Sequence, residues 1–352
     1  MKKEFLTGNE AIVKGVLAVG AEMMAGYPIT PTTEIIHYWS EEQTKNENLK
    51  FLQTEDEMAA GFATLGGVLA GKKAFTATAG PGNVLMQDPL SMAENMRLPI
   101  VLFVNQRGGP STGTVIYSQQ ELNLSIYGGN GEGLRIVYSS SNVQEMFDNA
   151  IKAFNTAWKY RFPTIVLSDG YSAKTLVEIE TYEPKEKNIE IIPSNAYLLN
   201  KNKKIGQYVN LRNTYNLEEE LHTLLESHQK EFNRISAELI EFESYKTDDA
   251  EIVIFAHGIV GASSKIAVDA LRKNGKKVGL FRPITLNPFP KNEAKEIASK
   301  AKKILVTESS MGQFERLVKN NLYGQTIEIE TLLKPAMGIS PEEIIKKLQI
   351  SN

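Results

Sequence analysis

The run Leu98-Pro99-Ile100-Val101-Leu102-Phe103-Val104 has no polar face. A strand of that kind has to be covered on both sides, as happens in a parallel sheet between two layers of helices. Pro163-Thr164-Ile165-Val166-Leu167 is a second apolar run of the same type. Shorter strand-like runs stand at Phe51-Leu52-Gln53, at Lys73 to Thr78 and at Leu134 to Tyr138. Helical spacing fills the intervals. Residues 7–25 read as a helix capped by Thr7 or Asn9, and another begins near Glu34 after Thr32 or Thr33. A third starts at Glu55-Asp56-Glu57, a fourth follows Asn83, and a fifth runs from Val143 to about Tyr160 after Asn142. Strand and helix therefore alternate over roughly the first 170 residues, which predicts a doubly wound, mostly parallel α/β sheet.

The periodicity fades over residues 171–215, where acidic, basic and proline residues alternate as in a surface linker. Leu217 to about Ser244 then carries apolar residues three or four apart and reads as one long amphipathic helix. His228 falls on its apolar stripe and reads as a packed histidine, since no second ligand stands at metal spacing. A second α/β unit opens at Glu251-Ile252-Val253-Ile254-Phe255-Ala256. Its expected helices are Ala262 to Asn274, Ala294 to Ala301 and Phe314 to Leu322, with strands at Lys277 to Phe281 and Lys303 to Thr307. The expected divisions are 1–175, a connecting stretch 176–247, and 248–352.

Composition narrows the function. Net charge is −3, so no basic excess points to nucleic acid or to an anionic membrane surface. No run approaches 18 apolar residues, and the start, Met1-Lys2-Lys3, lacks the apolar core of a signal peptide. The chain has no cysteine. That excludes a disulfide, a thiolate nucleophile and a cysteine-ligated iron–sulfur cluster within it, and fits a reducing cytoplasm.

Three acidic residues close the segment Phe51 to Glu57, and a run of small residues follows: Ala59, Ala60, Gly61, Ala63, Gly66, Gly67, Ala70 and Gly71. Carboxylates are favoured at a helix start, where N–H groups are unpaired and the dipole is positive. The small residues mark a helix that another backbone or a ligand approaches closely. In Tyr27-Pro28-Ile29-Thr30-Pro31 two prolines stiffen a loop that runs into a helix start, which by itself reads first as a structural turn and otherwise as a place to present a hydroxyl and N–H groups to an anion. Gly80-Pro81-Gly82 is a glycine turn between strand and helix. Arg107 follows a buried strand and precedes Gly108-Gly109-Pro110-Ser111-Thr112-Gly113, an arrangement that suits either an anion at the edge of an open sheet or an ion pair with a surface carboxylate. Residues 114–133 form an irregular polar segment. The chain lacks a phosphate-binding Gly-x-x-x-x-Gly-Lys-Ser/Thr loop, a Gly-x-Ser-x-Gly elbow and the Gly-Asp-Gly signature of metal–diphosphate sites.

Tyr27-Pro28-Ile29-Thr30-Pro31, Glu55-Asp56-Glu57, Gln106 to Gly113 and Arg282-Pro283-Ile284-Thr285-Leu286-Asn287-Pro288-Phe289-Pro290 stand in an order that resembles the alpha subunits of 2-oxoacid:ferredoxin oxidoreductases. The resemblance spans about residues 7–345. It implies a thiamine-diphosphate pyrimidine-binding domain over 1–175 and a transketolase-C-terminal-like α/β domain over 248–352. It also implies a beta subunit that holds the diphosphate, Mg2+ and [4Fe-4S] clusters, with no metal in this chain. Gamma and delta subunits are further partners in some assemblies. The implied reaction is CoA-acylating oxidative decarboxylation of a 2-oxoacid, with electrons passed to ferredoxin. Matching the family pattern places the catalytic glutamate at Glu57, with Glu55 as the rival. Ile29, Thr30 and Glu57 would contact the cofactor, and Thr30 and Arg107 the substrate. Residues 114–120 depart from the continuation associated with 2-oxoglutarate enzymes, which leaves 2-oxoglutarate, pyruvate and branched-chain 2-oxoacids open. The alternatives are a subunit of a non-oxidative thiamine-diphosphate decarboxylase or transketolase-like transferase, and a non-catalytic scaffold whose acids only cap a helix.

Overall fold

The computed structural model describes residues 1–194 and 211–350. Strands β1 (Lys2–Leu6), β2 (Met23–Gly26), β3 (Lys50–Gln53), β4 (Ala74–Thr78), β5 (Val101–Gln106), β6 (Ile136–Ser139), β7 (Thr164–Asp169) and β8 (Val177–Thr181) occupy the first half of the chain. β9 (Phe242–Tyr245), β10 (Ile252–Phe255), β11 (Val278–Pro283), β12 (Thr285–Asn287), β13 (Lys303–Glu308) and β14 (Glu328–Leu333) follow. One sheet has seven strands in the order β12-β6-β7-β5-β4-β2-β3, all parallel except β12. A second has five, ordered β14-β13-β10-β11-β9, with only β9 antiparallel. Every residue of β4, β5, β6 and β7 is buried, as the absence of a polar face requires.

The predicted class holds: mixed α/β with parallel sheets. Several local expectations change. The helix expected over residues 7–25 ends at Ala18, and Met23–Gly26 instead forms β2 inside the sheet. Ala21, Met24 and Ala25 read equally well on a helical face or in a short buried strand, and pairing with β3 and β4 decides it. Thr7 caps the first helix through a reciprocal arrangement with Glu10. Neither Thr32 nor Thr33 makes a side-chain capping hydrogen bond to the next. Thr32 is the N-cap residue, but its hydroxyl turns back to the carbonyl of Ile29 (2.7 Å).

The linker expected over 171–215 contains β8, which pairs with β1, and a helix at Gly170–Lys174 capped by Asp169. Its residues 195–210 lie outside the described part. The long helix stops at Leu239 rather than Ser244, because Phe242–Tyr245 is taken up as β9 along β11. β12, β14 and the helix Pro341–Ile350 had no counterpart in the sequence reading. β12 lies next after β11 of the five-stranded sheet yet pairs with β6 of the seven-stranded one, so the two sheets share a chain crossing.

Arg282 strengthens that crossing. It is buried, donates to both carboxylate oxygens of Glu145 (3.0 and 2.9 Å) and to Glu243 (3.0 Å). Glu145 stands on the helix Val143–Tyr160 against the first sheet, and Glu243 on β9 of the second. A planar guanidinium is suited to two carboxylates at once.

Candidate active site

The site forms at the carboxyl ends of β2, β4 and β5, where a parallel sheet opens to ligands. Asp56, not Glu57, caps the helix Glu57–Leu69: its carboxylate accepts the Ala59 N–H at 2.7 Å. Glu57 is left as the first helical residue and is buried, whereas Glu55 is exposed. Burial pushes the Glu57 carboxyl above its ordinary range, and neighbouring Asp56 adds to this while Arg107 opposes it.

Two of the small residues that follow, Gly61 and Gly67, serve packing, while Gly66 faces open space. A Cβ added at Gly61 would meet Pro89 Cγ at 2.3 Å, and one at Gly67 would meet Met23 Sδ at 2.6 Å. The helix is thereby pressed against the helix Gln87–Met96 and the edge of β2.

The glycine turn closes over Glu57 and Arg107. Gly80 has φ +56°, a region that L-residues with a side chain rarely adopt, and a Cβ there would stand 2.5 Å from Arg107 Nε. A Cβ at Gly82 would stand 2.4 Å from Glu57 Oε1 and 2.1 Å from Thr78 Oγ1. Arg107 follows the last residue of β5 and is 5% exposed. Its Nη1 donates to the Thr30 carbonyl (2.8 Å), while its Nε is buried with no hydrogen-bond partner. Thr30 and Ile29 are half-buried on the proline loop, which Asn9 holds by donating to the Pro31 carbonyl (2.9 Å). The structure thus gathers Glu57, Arg107 and Thr30 around one glycine turn, with Ile29 beside Thr30.

Glu121 is a further residue of the site. It is buried in the segment read as irregular and accepts the backbone N–H groups of Gly80 (2.9 Å) and Arg107 (3.0 Å). Nothing in a single sequence marks it, since a glutamate among Gln and Ser residues has the composition of an exposed loop. That segment also contains a short helix, Leu122–Tyr127.

Two family models match the chain. Residues 14–239 match the thiamine-diphosphate-binding domain of pyruvate flavodoxin/ferredoxin oxidoreductase, and residues 250–340 match core domain II of pyruvate:ferredoxin oxidoreductase. The fold and these matches define a thiamine-diphosphate-binding α/β protein. More narrowly, the chain belongs to the 2-oxoacid:ferredoxin oxidoreductase family, among its alpha-type subunits. It is 32% identical to the ketoisovalerate oxidoreductase subunit VorB of Methanothermobacter marburgensis, over 97% of this chain and 99% of that one. It is 36% identical to the 2-oxoglutarate synthase subunit KorA of Methanocaldococcus jannaschii, over 89% and 90%. Among solved structures it resembles the 2-oxoglutarate:ferredoxin oxidoreductase of Magnetococcus marinus, with 2-oxoglutarate, coenzyme A and succinyl-CoA bound. There the TM-score is 0.88 at 27% identity, over 99% of this chain and 65% of that chain's length. A split-gene transketolase shares the fold at a TM-score of 0.63 and 12% identity.

The residues present fit part of a bound thiamine diphosphate. A buried carboxyl with a raised pKa lies beside Gly82, which has no side chain to cover it, and the buried Thr78 Oγ1 next to it has no partner. Among the described residues no group of three or more His, Asp or Glu is arranged to hold a metal ion. Among the described residues no helix is long and apolar enough to cross a membrane.

Proposed function

We propose that this chain supplies the activating glutamate, Glu57, and part of the substrate site of a CoA-acylating 2-oxoacid:ferredoxin oxidoreductase. Thiamine diphosphate, when bound, supplies the carbon nucleophile and the electron sink for decarboxylation. Glu57 holds a proton at a ring nitrogen and takes it back, a task for which a buried carboxyl with a raised pKa is suited. Ile29 and Thr30 line the ring's surroundings. Thr30 and Arg107 receive the oxoacid, whose carboxylate is met by the guanidinium edge that makes no bond to Thr30. A beta subunit would hold the diphosphate with Mg2+ and carry the [4Fe-4S] clusters, consistent with a chain that has no cysteine. Coenzyme A takes the acyl group, ferredoxin takes the electrons, and gamma and delta subunits complete some assemblies of this kind.

We also propose the division into 1–175, 176–247 and 248–352. The two model matches, 14–239 and 250–340, support the break near residue 248. The substrate is a 2-oxoacid of the range spanned by relatives named for ketoisovalerate, 2-oxoglutarate and pyruvate. Comparing kcat/KM for those three assigns it.

The observation that carries the proposal is the contrast between Glu57, buried against Gly82, and Glu55, exposed two residues earlier. Glu57→Gln keeps the shape but cannot cycle a proton. In the complex with its beta subunit, turnover is expected to fall by about 10²–10⁴ with thiamine diphosphate still bound. Glu55→Gln is expected to stay near wild type. A severe Glu55→Gln beside a mild Glu57→Gln would move the role to Glu55.

A further inference from the structure

The Glu121 carboxylate collects donors from two separate segments. Oε1 accepts the N–H groups of Gly80 (2.9 Å) and Arg107 (3.0 Å), and Oε2 accepts Asn83 Nδ2 (3.1 Å). Those segments are the end of β5, which carries Arg107, and the turn from β4 into the helix Pro81–Leu85. The turn in its present place confines the guanidinium stem: a Cβ at Gly80 would lie 2.5 Å from Nε and 3.2 Å from Cδ and Cγ. The same turn brings Gly82 onto Glu57. A carboxylate suits such a junction because it only accepts, so converging N–H groups are all satisfied.

The residues on either side of Glu121 are held from the second sheet's side. Gln313 accepts the Asn123 N–H (2.9 Å) and donates to the Gln120 carbonyl (2.6 Å), while Gln119 exchanges hydrogen bonds with Ser309 and donates to the His257 carbonyl. A group held this firmly, yet making its bonds to Arg107 and Gly80 only through their backbone, acts on the site through position.

We infer that Glu121 is a positioning residue: by tying the Gly80 turn to the Arg107 backbone it fixes the guanidinium for an oxoacid carboxylate. This rests on the reading of Arg107 given under Proposed function.

The test uses the complex of this chain with its beta subunit. Glu121→Ala is expected to raise KM for the oxoacid about tenfold and to leave thiamine diphosphate affinity within about twofold. Glu121→Gln, which keeps one oxygen for both N–H groups, should restore KM to within about threefold of wild type. In an Arg107→Ala background, Glu121→Ala should add less than about twofold, because the two act through one contact. Should Glu121→Ala fail to fold, Glu121→Asp, one methylene shorter, takes its place with the same expectations. A lowered Tm with unaltered KM, or effects of Glu121 and Arg107 that multiply, would overturn the inference. A crystal structure of the Glu121 variant separates the two readings: a displaced Gly80 turn is expected. An unmoved turn overturns the positioning role whatever the kinetics. If Arg107→Ala leaves KM unchanged, the substrate reading of Arg107 falls instead, and the position of the turn alone decides for Glu121.

Discussion

At the scale of single residues, Arg107 separates a substrate role from a structural one. Its Nη1 holds the Thr30 carbonyl and its buried Nε has no partner, so the side chain has both an anchor and unused donors. If the oxoacid carboxylate takes those donors equally in the ground and transition states, Arg107→Ala raises KM more than it lowers kcat. Steady-state kinetics on the complex check this. An unaltered KM with a lowered Tm would leave Arg107 as a brace for the proline loop.

At the scale of elements, the helix Glu57–Leu69 divides two jobs between neighbouring carboxylates. Asp56 makes the capping bond, so Asp56→Ala should lower stability by about 0.5–2 kcal/mol. Glu57→Gln should cost no more than about 0.3–1 kcal/mol by loss of charge near the helix start. Denaturant unfolding of the two variants measures the difference, and a larger loss from Glu57→Gln would return the cap role to Glu57.

The helix Glu218–Leu239 carries a different signal. Burial, with Arg97 adding to it, pulls His228 down to about 4. An unfolded histidine titrates near 6.5. Between those values the unfolded chain takes up a proton that the folded chain refuses, so stability is full above about 6.5 and is lost as pH falls toward 4. The Tm of the wild type should therefore drop more between pH 7 and pH 5 than that of His228→Leu. Parallel curves would show that His228 adds nothing to acid sensitivity.

At the scale of the molecule, the proposed function gives the chain one half of a reaction centre. With no cysteine it can ligate no cluster through thiolates, and among the described residues no acidic or histidine group is arranged for a metal. The purified chain alone should show no oxoacid-dependent reduction of an electron acceptor, even with thiamine diphosphate and Mg2+ added. Turnover by a rigorously purified single chain would refute this division of labour. Adding the beta subunit should restore it.

Elements with local patterns are legible from the residues alone. β5 and β7 are apolar on both faces and had to be interior strands. The helix Val143–Tyr160 was legible to the residue, because Asn142 caps it and its apolar stripe is regular. The motifs around Thr30, Glu57 and Arg107 were legible too, each as a short pattern. Tertiary structure decided what depends on contacts distant in the chain. β2 was hidden in a helical-looking stretch because its strand character comes from pairing with β3 and β4. Phe242 fits a helical stripe by spacing, yet pairs opposite Pro283. β12 is three residues long and gains its place only from β6, far back in the chain. The burial of Glu57 over Glu55 follows from Gly82 arriving against it, and Glu121 matters only because residues 80, 83 and 107 converge on it. A hydrogen bond between segments tens of residues apart leaves no periodicity to read, since neither partner constrains its own neighbours.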